Sequence, residues 1–544
     1  MPYIYAELSA CSPRQQLSGS MRLPVVVLAA FLLVPGALGT TGAMAANELA
    51  RAAGRDGDPT LNALYATRGF APLWTAGRAA EQRRQTLLAL LRAEAVADPA
   101  AAAPAALEVS AAAGTGTEAI EIATTRAALA LLARRAGSDV VDAKAALEAM
   151  RWLDRPPPES ALELALLELE IVRELGGWRK VGTEPGPLPT VPPRELTSPE
   201  IDIAPRLPAR QTLPEPVSLR RRLVQSGDLP ASQLDLPGMD DELVAAVQRF
   251  QERHGLLADG VVGSRTLAAL NAPVQRQIDQ VRLNIARGTP DRTHLDRFVE
   301  VNVPGFELKV VDRGQVVLRS RVIVGEKDNE TPIFDDWIRY IEINPSWYVP
   351  ASIVPELLEK EAARPGYLAS SGFTWRGASG QSLVQKPGPK NALGRIKFLF
   401  PNHHAVYLHD TPQRTLFGRS QRSLSHGCVR VEKPNDLAIA LLGEQGWTKK
   451  RLDAAYASSK TQRVELAEPV PVFLDYRTAF IGEDGRLQLR PDLYGHDRNG
   501  VTVFAEKGLP PLVPPTPEAP PLAKTQPPVD GARATAMGEM PAPL

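Results

Sequence analysis

The pattern of apolar and polar positions changes character along the chain, and each change predicts a different kind of element. From residue 47 to about 180, apolar residues recur at helical spacing in a background rich in Ala, Leu, Glu and Arg. Leu162, Leu164, Leu166, Leu167, Leu169 and Val172 form a broad apolar stripe that Gly176-Gly177 should stop. The alanine-rich stretch from Ala100 to Ala113 fits either a loop or a poor helix. Residues 181–216 are crowded with proline and predict an extended linker. A compact unit is expected over 217–272. There Asp240-Asp241 can cap a helix whose positions Leu243, Val244, Val247 and Phe250 keep a 3.6-residue period. The turn sequence Asp259-Gly260-Val261-Val262-Gly263 follows, then Thr266-Leu267-Ala268-Ala269-Leu270.

From about residue 298 the period shortens to that of strands. Residues 301–303, 306–311, 315–318, 321–325 and 339–344 alternate or run apolar, with Asp312-Arg313-Gly314 as a turn. Further strands are expected over 396–400, 404–408 and 427–431, and a helix from Pro434-Asn435-Asp436. One helical interruption, Pro350 to Tyr367, reads as an insertion above the sheet. The proline pairs at 510–511, 514–515 and 520–521 predict a disordered tail over 508–544.

A length of 544 residues allows about three or four domains. Lys plus Arg equal Asp plus Glu at 62 each, which argues against nucleic acid as the main partner. Met21-Arg22-Leu23 through Leu38 is a short cation followed by an apolar run, and Ala43-Met44-Ala45 offers a small-x-small cleavage pattern. Those are the parts of a secretory signal over 1–46, with translation expected to start at Met21. Left uncleaved, the segment would tether the chain to the inner membrane. A start at Met21 removes Cys11 and leaves Cys428 as the single cysteine. An exported thiol usually persists only if it is paired or used.

Cys428 closes the tetrapeptide Ser425-His426-Gly427-Cys428, nineteen residues after His409. A free thiol is only a few per cent thiolate at neutral pH, so a nucleophilic cysteine needs a base. His409 ends the run Val406-Tyr407-Leu408 just before the turn Asp410-Thr411-Pro412, where a side chain is both rigid and exposed. It is expected to take the thiol proton and give a thiolate–imidazolium pair. Strand alternation would put His426 and Cys428 on one face. Gly427 would let the backbone approach a substrate carbonyl, and N–H groups around Cys428 would hold a developing oxyanion. His403, His404, His409, His426 and Cys428 are zinc-type ligands by residue type, but no compact pair such as His-x-x-x-His exists, so no metal site is expected. Lys386, Lys390 and Arg395 fit equally a solvated face or an attractor for an acidic peptide, and Trp347 reads as a packing anchor.

His409 followed by Ser425-His426-Gly427-Cys428-Val429-Arg430 resembles the signature of the L,D-transpeptidase catalytic domain of the YkuD type. Asn344-Pro345-Ser346-Trp347-Tyr348-Val349-Pro350, residues 385–395, residues 407–412 and Leu416-Phe417 are similar to the same family. Phe250-Gln251 to Leu270 resembles the peptidoglycan-binding-like domain, a small three-helix bundle. The whole order resembles the large periplasmic YcbB-like subgroup. The resemblance implies an α+β multidomain protein. Its parts would be a helical scaffold (47–180), the peptidoglycan-binding-like module (217–272), a mostly-β catalytic domain (298–467) with an inserted helical cap (about 350–379), and a C-terminal extension (468–500).

It also implies a periplasmic enzyme that needs no cofactor, acts on peptidoglycan tetrapeptide stems, and works beside peptidoglycan synthases. Cys428 would be the nucleophile and His409 the proton donor and acceptor. The main-chain carbonyl of Asp410 would orient His409, and His426 and Gly427 would support the cysteine. Arg430, Ser425, Tyr407, Asn391 and Gly394 would bind substrate. The implied reaction expels D-Ala from the third residue of the donor stem and passes the acyl group to an amine, making a 3→3 crosslink. Water or a lipoprotein amine would be alternative acceptors, and a non-catalytic wall-binding scaffold is the alternative from another class.

Overall fold

The structure is a computed structural model that describes residues 46–497, apart from 77–78, 98, 113–115, 155–157, 185–212, 289 and 378–381. The expected signal before Ala46 and the tail over 508–544 lie outside the described residues. Among the described residues no helix is long and apolar enough to cross a membrane.

The first third is helical: α1 (Ala46–Asp56), α2 (Pro59–Thr67), α3 (Ala80–Ala97), α4 (Pro99–Ala112), α5 (Thr117–Arg135), α6 (Ala143–Met150) and α7 (Ala161–Glu174). Asp58 caps α2 and Asp142 caps α6 through N–H groups of the first turn, and Ser160 with Glu163 makes a capping box on α7. The alanine-rich stretch is a helix, α4. Alanine's propensity and packing of Val109 and Ala112 into the core outweigh the internal Pro104. Glu121, fully buried, has its carboxylate oxygens met by the Tyr65 hydroxyl and the N–H groups of Leu73, Trp74 and Thr75.

Most of the expected proline-rich linker, residues 185–212, lies outside the described residues. Its ends pair as β1 (Thr183–Glu184) and β2 (Leu213–Pro214), fixing where the chain leaves and returns. The module that follows has three helices, α8 (Pro216–Gln225), α9 (Asp241–Arg253) and α10 (Ser264–Leu270), and α11 (Val274–Arg287) leads onward. Asp240 is the N-cap of α9, accepting from Leu243 N–H at 2.8 Å. Leu219, Leu223, Leu243, Val247 and Phe250 fill the core of the module.

The strand-patterned region forms a nine-stranded sheet of β3 (Arg297–Asn302), β4 (Glu307–Asp312), β5 (Gln315–Gly325), β6 (Phe334–Ile343), β10 (Ile396–Leu399), β11 (Leu408–His409), β12 (Ser423–Ser425), β13 (Val429–Val431) and β14 (Gln462–Asp475). Their spatial order is β12-β5-β13-β11-β10-β6-β14-β3-β4, and β4 also pairs with β5, which closes the sheet on itself. Helices α14 (Pro434–Leu442) and α15 (Lys449–Ala457) add Leu437, Leu441 and Leu452 to its core. The expected boundary at 467/468 falls inside β14. That strand is one continuous element whose second half pairs with both β3 and β6, so the catalytic sheet extends to Asp475. The hairpin β15 (Ala479–Ile481) and β16 (Leu487–Leu489) then packs Ala479 and Leu489 against α7 and α11.

The insertion between β6 and β10 contains more than helix. Helices α12 (Val354–Ala363) and α13 (Tyr367–Ser370) sit with a separate three-stranded sheet of β7 (Trp347–Tyr348), β8 (Phe373–Arg376) and β9 (Ser382–Gln385), in the order β7-β9-β8. Leu357, Phe373 and Leu383 form a small core of their own, with Trp347 packed against it.

Candidate active site

The site follows from period-two alternation across four adjoining strands. Residues Ile341 and Ile343, Ile396 and Phe398, Leu408, Val429 and Val431 point to one face and are buried in the apolar core. Their neighbours therefore share the opposite face, where the register lines up Glu342, Lys397, His409 and Arg430 across β6, β10, β11 and β13. Beside this row the Cys428–Tyr407 pair extends the same face, since Leu408 pairs with Val429 and the Val429 N–H donates to the Tyr407 carbonyl at 3.1 Å. One apolar period thus buries the core and aligns every group of the site.

Two expected strands are shorter than the sequence suggests, and this shapes the nucleophile. In place of a strand over 404–408, a turn at His403-His404 leads through Ala405, at φ 54°, to a strand of two residues, Leu408–His409. In place of a strand over 427–431, His426 and Gly427 form a bend, with φ 99° at Gly427, so alternation does not relate His426 to Cys428. A side chain at 427 would be strained by that φ and would meet the Glu330 carbonyl oxygen at 3.3 Å. The bend is tied down on both sides. The Gly427 carbonyl accepts from Thr331 Oγ1 at 2.8 Å, and the Cys428 carbonyl accepts from Ser425 Oγ at 2.5 Å. The N–H groups of Gly427 and Cys428 have no acceptor among the described residues.

Cys428 is partly buried, and its Sγ lies 4.0 Å from the Ala405 carbonyl and takes a hydrogen bond from the Tyr407 side chain. Burial pushes the thiol pKa up. The Tyr407 hydrogen bonds and the charges of Arg430 and Lys397 pull the other way without prevailing. His409 is buried, and its Nδ1 donates to the Asp410 carbonyl at 2.6 Å, which leaves Nε2 as the nitrogen able to accept a proton. Burial first, then the Arg430 charge, push the imidazole down to about 3. Each shift favours the neutral form of its group, so the directions run against the expected resting thiolate–imidazolium pair. The Tyr407 ring stands edge-on to His409, with centroids 5.7 Å apart.

The other expected residues divide into those that face the site and those that build it. Arg430 reaches Gln413 Oε1 at 2.8 Å, and its charge bears on both Cys428 and His409. His426 is half-exposed and meets Glu356 of α12 at 3.4 Å, which links the nucleophile loop to the cap. Asn391, Gly394 and Ser425 are not free to bind substrate. Asn391 is buried and donates to the carbonyls of Pro345, Gln385 and Lys386 while accepting from Leu393 N–H. Gly394, at φ 62°, leaves room for the Asp410 carboxylate, which a Cβ would approach to 2.2 Å. Ser425 is buried and spends its hydroxyl on the Cys428 carbonyl. Lys397 and Glu342, which pair at 3.4 Å on the polar face, escape sequence reasoning altogether. Only the register that sets Lys397 opposite both Glu342 and His409 reveals them.

Comparisons with known proteins match two stretches of this chain to family models. Residues 296–448 match the family model described as the L,D-transpeptidase catalytic domain (YkuD), and residues 214–270 match the putative peptidoglycan binding domain. The chain therefore carries an L,D-transpeptidase catalytic domain and a domain of the peptidoglycan-binding type within an α+β multidomain architecture. A curated protein of Haemophilus influenzae, named a putative L,D-transpeptidase, is 38% identical over 216 residues, which is 36% of this chain and 44% of that protein. The match thus spans less than half the length of that relative. Among solved structures, an L,D-transpeptidase (Yku) from Stackebrandtia nassauensis aligns at 17% identity and a TM-score of 0.20 over 48% of this chain and 91% of its own. Another from Xylanimonas cellulosilytica aligns at 21% identity and 0.19 over 50% and 98%.

Proposed function

We propose that the protein is an exported peptidoglycan L,D-transpeptidase that forms 3→3 crosslinks through a thioester on Cys428. The observation that carries this reading is the polar face itself: the sole described thiol shares it with an imidazole whose Nδ1 is committed and whose Nε2 is free. The reading requires Sγ to come within hydrogen-bond reach of His409 Nε2 when substrate binds. Nε2 would take the thiol proton as Sγ attacks the carbonyl of the third stem residue, and the N–H groups of Gly427 and Cys428 would face the resulting oxyanion. Collapse breaks the bond to D-Ala, and the imidazolium returns the proton to the leaving amine. The acceptor's side-chain amine then attacks the thioester, gives its proton to His409, and regenerates the thiol.

An imidazole pushed down to about 3 is neutral before substrate arrives but a weak base, so this cycle requires substrate binding to raise it toward the working pH. Tyr407 would steady the thiol and Arg430 would meet a donor carboxylate, while the cap would close over the stem and exclude water. The test is to incubate the purified protein with disaccharide-tetrapeptide and analyse the products. Release of D-Ala with dimer formation supports transfer to an amine. Release without dimers reassigns the protein as an L,D-carboxypeptidase, and no release at all defeats the reading.

A further inference from the structure

The loop that follows β5 and the C-terminal extension meet at the bend that carries Cys428. Thr331 on that loop and Tyr494 in the extension are both buried. Four hydrogen bonds tie them to Gly325 and Gly427, and the directions are fixed because a main-chain N–H can only donate. The Gly325 N–H donates to Thr331 Oγ1 at 2.9 Å, so the threonine hydroxyl spends its one hydrogen on the Gly427 carbonyl at 2.8 Å. The Thr331 N–H donates to the Tyr494 hydroxyl at 3.1 Å, so that hydroxyl gives its hydrogen to the Gly325 carbonyl at 2.8 Å.

Tyr494 is itself held. Its N–H donates to the Tyr476 hydroxyl at 2.7 Å, that hydroxyl donates to Asp492 Oδ1 at 2.7 Å, and the two rings stack with centroids 5.7 Å apart. The loop is also closed on the signature, since the Glu326 N–H donates to the Ser425 carbonyl at 2.9 Å. What these contacts fix is a peptide plane. The Gly427 carbonyl and the Cys428 N–H belong to one trans peptide and point in opposite directions. Anchoring the carbonyl on Thr331 therefore aims the Cys428 N–H away from the loop, and that N–H has no acceptor among the described residues. Gly427, at φ 99°, is free to adopt many conformations, so the plane needs an outside anchor to keep one of them.

We propose that Thr331 and Tyr494 are positioning residues for acylation, which together hold the Cys428 N–H where the tetrahedral oxyanion develops. Neither touches the reacting atoms. The inference rests on Cys428 being acylated, as the proposed function requires, and gives the C-terminal extension a part in that chemistry. A preorganised donor acts where charge develops in the transition state, so its misalignment lowers kcat and leaves KM in place.

The test compares the full wild-type chain with Thr331→Val, Thr331→Ser and Tyr494→Phe in three reactions of Cys428. Two form a thioester: D-Ala release from disaccharide-tetrapeptide, and attack on p-nitrophenyl acetate. In the second, the Sγ–carbonyl bond forms, the ester C–O bond breaks and nitrophenolate leaves. The third reaction, alkylation by iodoacetamide, displaces iodide from a saturated carbon and makes no oxyanion. Thr331→Val should slow both acylations about 10–100-fold and Tyr494→Phe about tenfold, with KM for the stem and the alkylation rate each within about twofold of wild type. Thr331→Ser keeps the hydroxyl and should recover most of the rate. Should Thr331→Val fail to fold, Tyr494→Phe decides. Ester acylation slowed in the variants, with no D-Ala release from wild type, would sink the peptidoglycan reading and leave this inference standing. Variants that acylate at the wild-type rate, or that lose alkylation in equal measure, overturn the inference alone. A wild-type protein acylated by neither probe overturns both.

Discussion

Two histidines, His254, partly buried at the end of α9, and His409, buried at the end of β11, share the same local chemistry in two regions of the molecule. Each turns Nδ1 to a main-chain carbonyl, Phe250 at 2.7 Å and Asp410 at 2.6 Å, and burial pushes each down to about 3. What differs is the company. His254 stacks on Phe250 at 3.9 Å, with Arg253 beside it and no nucleophile in reach. His409 shares a polar sheet face with Tyr407, Lys397 and a thiol. A proton-poor buried imidazole is therefore not a catalytic signature; the neighbour across from its free nitrogen is.

Several outcomes can break or sharpen this contrast, and the largest concerns the thiol. Cys428→Ala should reduce D-Ala release from disaccharide-tetrapeptide to background while leaving the circular dichroism spectrum unchanged; persistent release would remove the thiol from the chemistry. Next come the two histidines themselves. His409→Gln should slow release by about 10²–10⁴-fold, the usual worth of a positioned acid–base group, whereas His254→Gln should change it less than twofold. Equal losses in the two variants would erase the distinction.

Stability should nevertheless join the two sites. An unfolded histidine titrates near pH 6.5, so between about pH 6.5 and 3 the unfolded chain binds protons that the folded chain refuses. The stability each imidazole contributes is fully present above pH 6.5 and is lost as pH falls toward 3, by on the order of 1 kcal/mol per pH unit for each. Urea midpoints measured between pH 7 and 4.5 should fall accordingly, and either glutamine variant should flatten the slope. A smaller effect is expected from Tyr407→Phe, which removes one hydrogen bond to the thiol and should cost about tenfold or less in release rate. The smallest belongs to the cap: Glu356→Gln loosens a half-exposed contact to His426 and should cost about fivefold at most, read in KM more than kcat.

Much of this arrangement was legible in the chain because it is contiguous. The signature from Ser425 to Arg430, the histidine before the Asp410-Thr411-Pro412 turn, the Asp240 cap and the Asp312-Arg313-Gly314 hairpin turn are local patterns, and local physics produces them. The parts that escaped depend on distance. Lys397 and Glu342 reach the site only through strand register, which pairs residues more than fifty positions apart. The resemblance implied Asn391 and Ser425 as substrate contacts, yet burial and their hydrogen bonds to the main chain give them a framing role. The same burial pushes thiol and imidazole each toward its neutral form, against the expected ion pair, since composition does not show how much solvent a side chain loses. Short strands such as β8 and β9 are too brief for alternation to stand out.

The account rests on an acyl group that resides on one sulfur between donor and acceptor. Intact-mass and peptide-mass spectrometry of the protein, acid-quenched during turnover of disaccharide-tetrapeptide, tests this most directly. The prediction is an adduct on the Cys428 peptide equal to the donor less D-Ala, reduced in His409→Gln and absent in Cys428→Ala. Turnover without such an adduct, or an adduct on another residue, would contradict it.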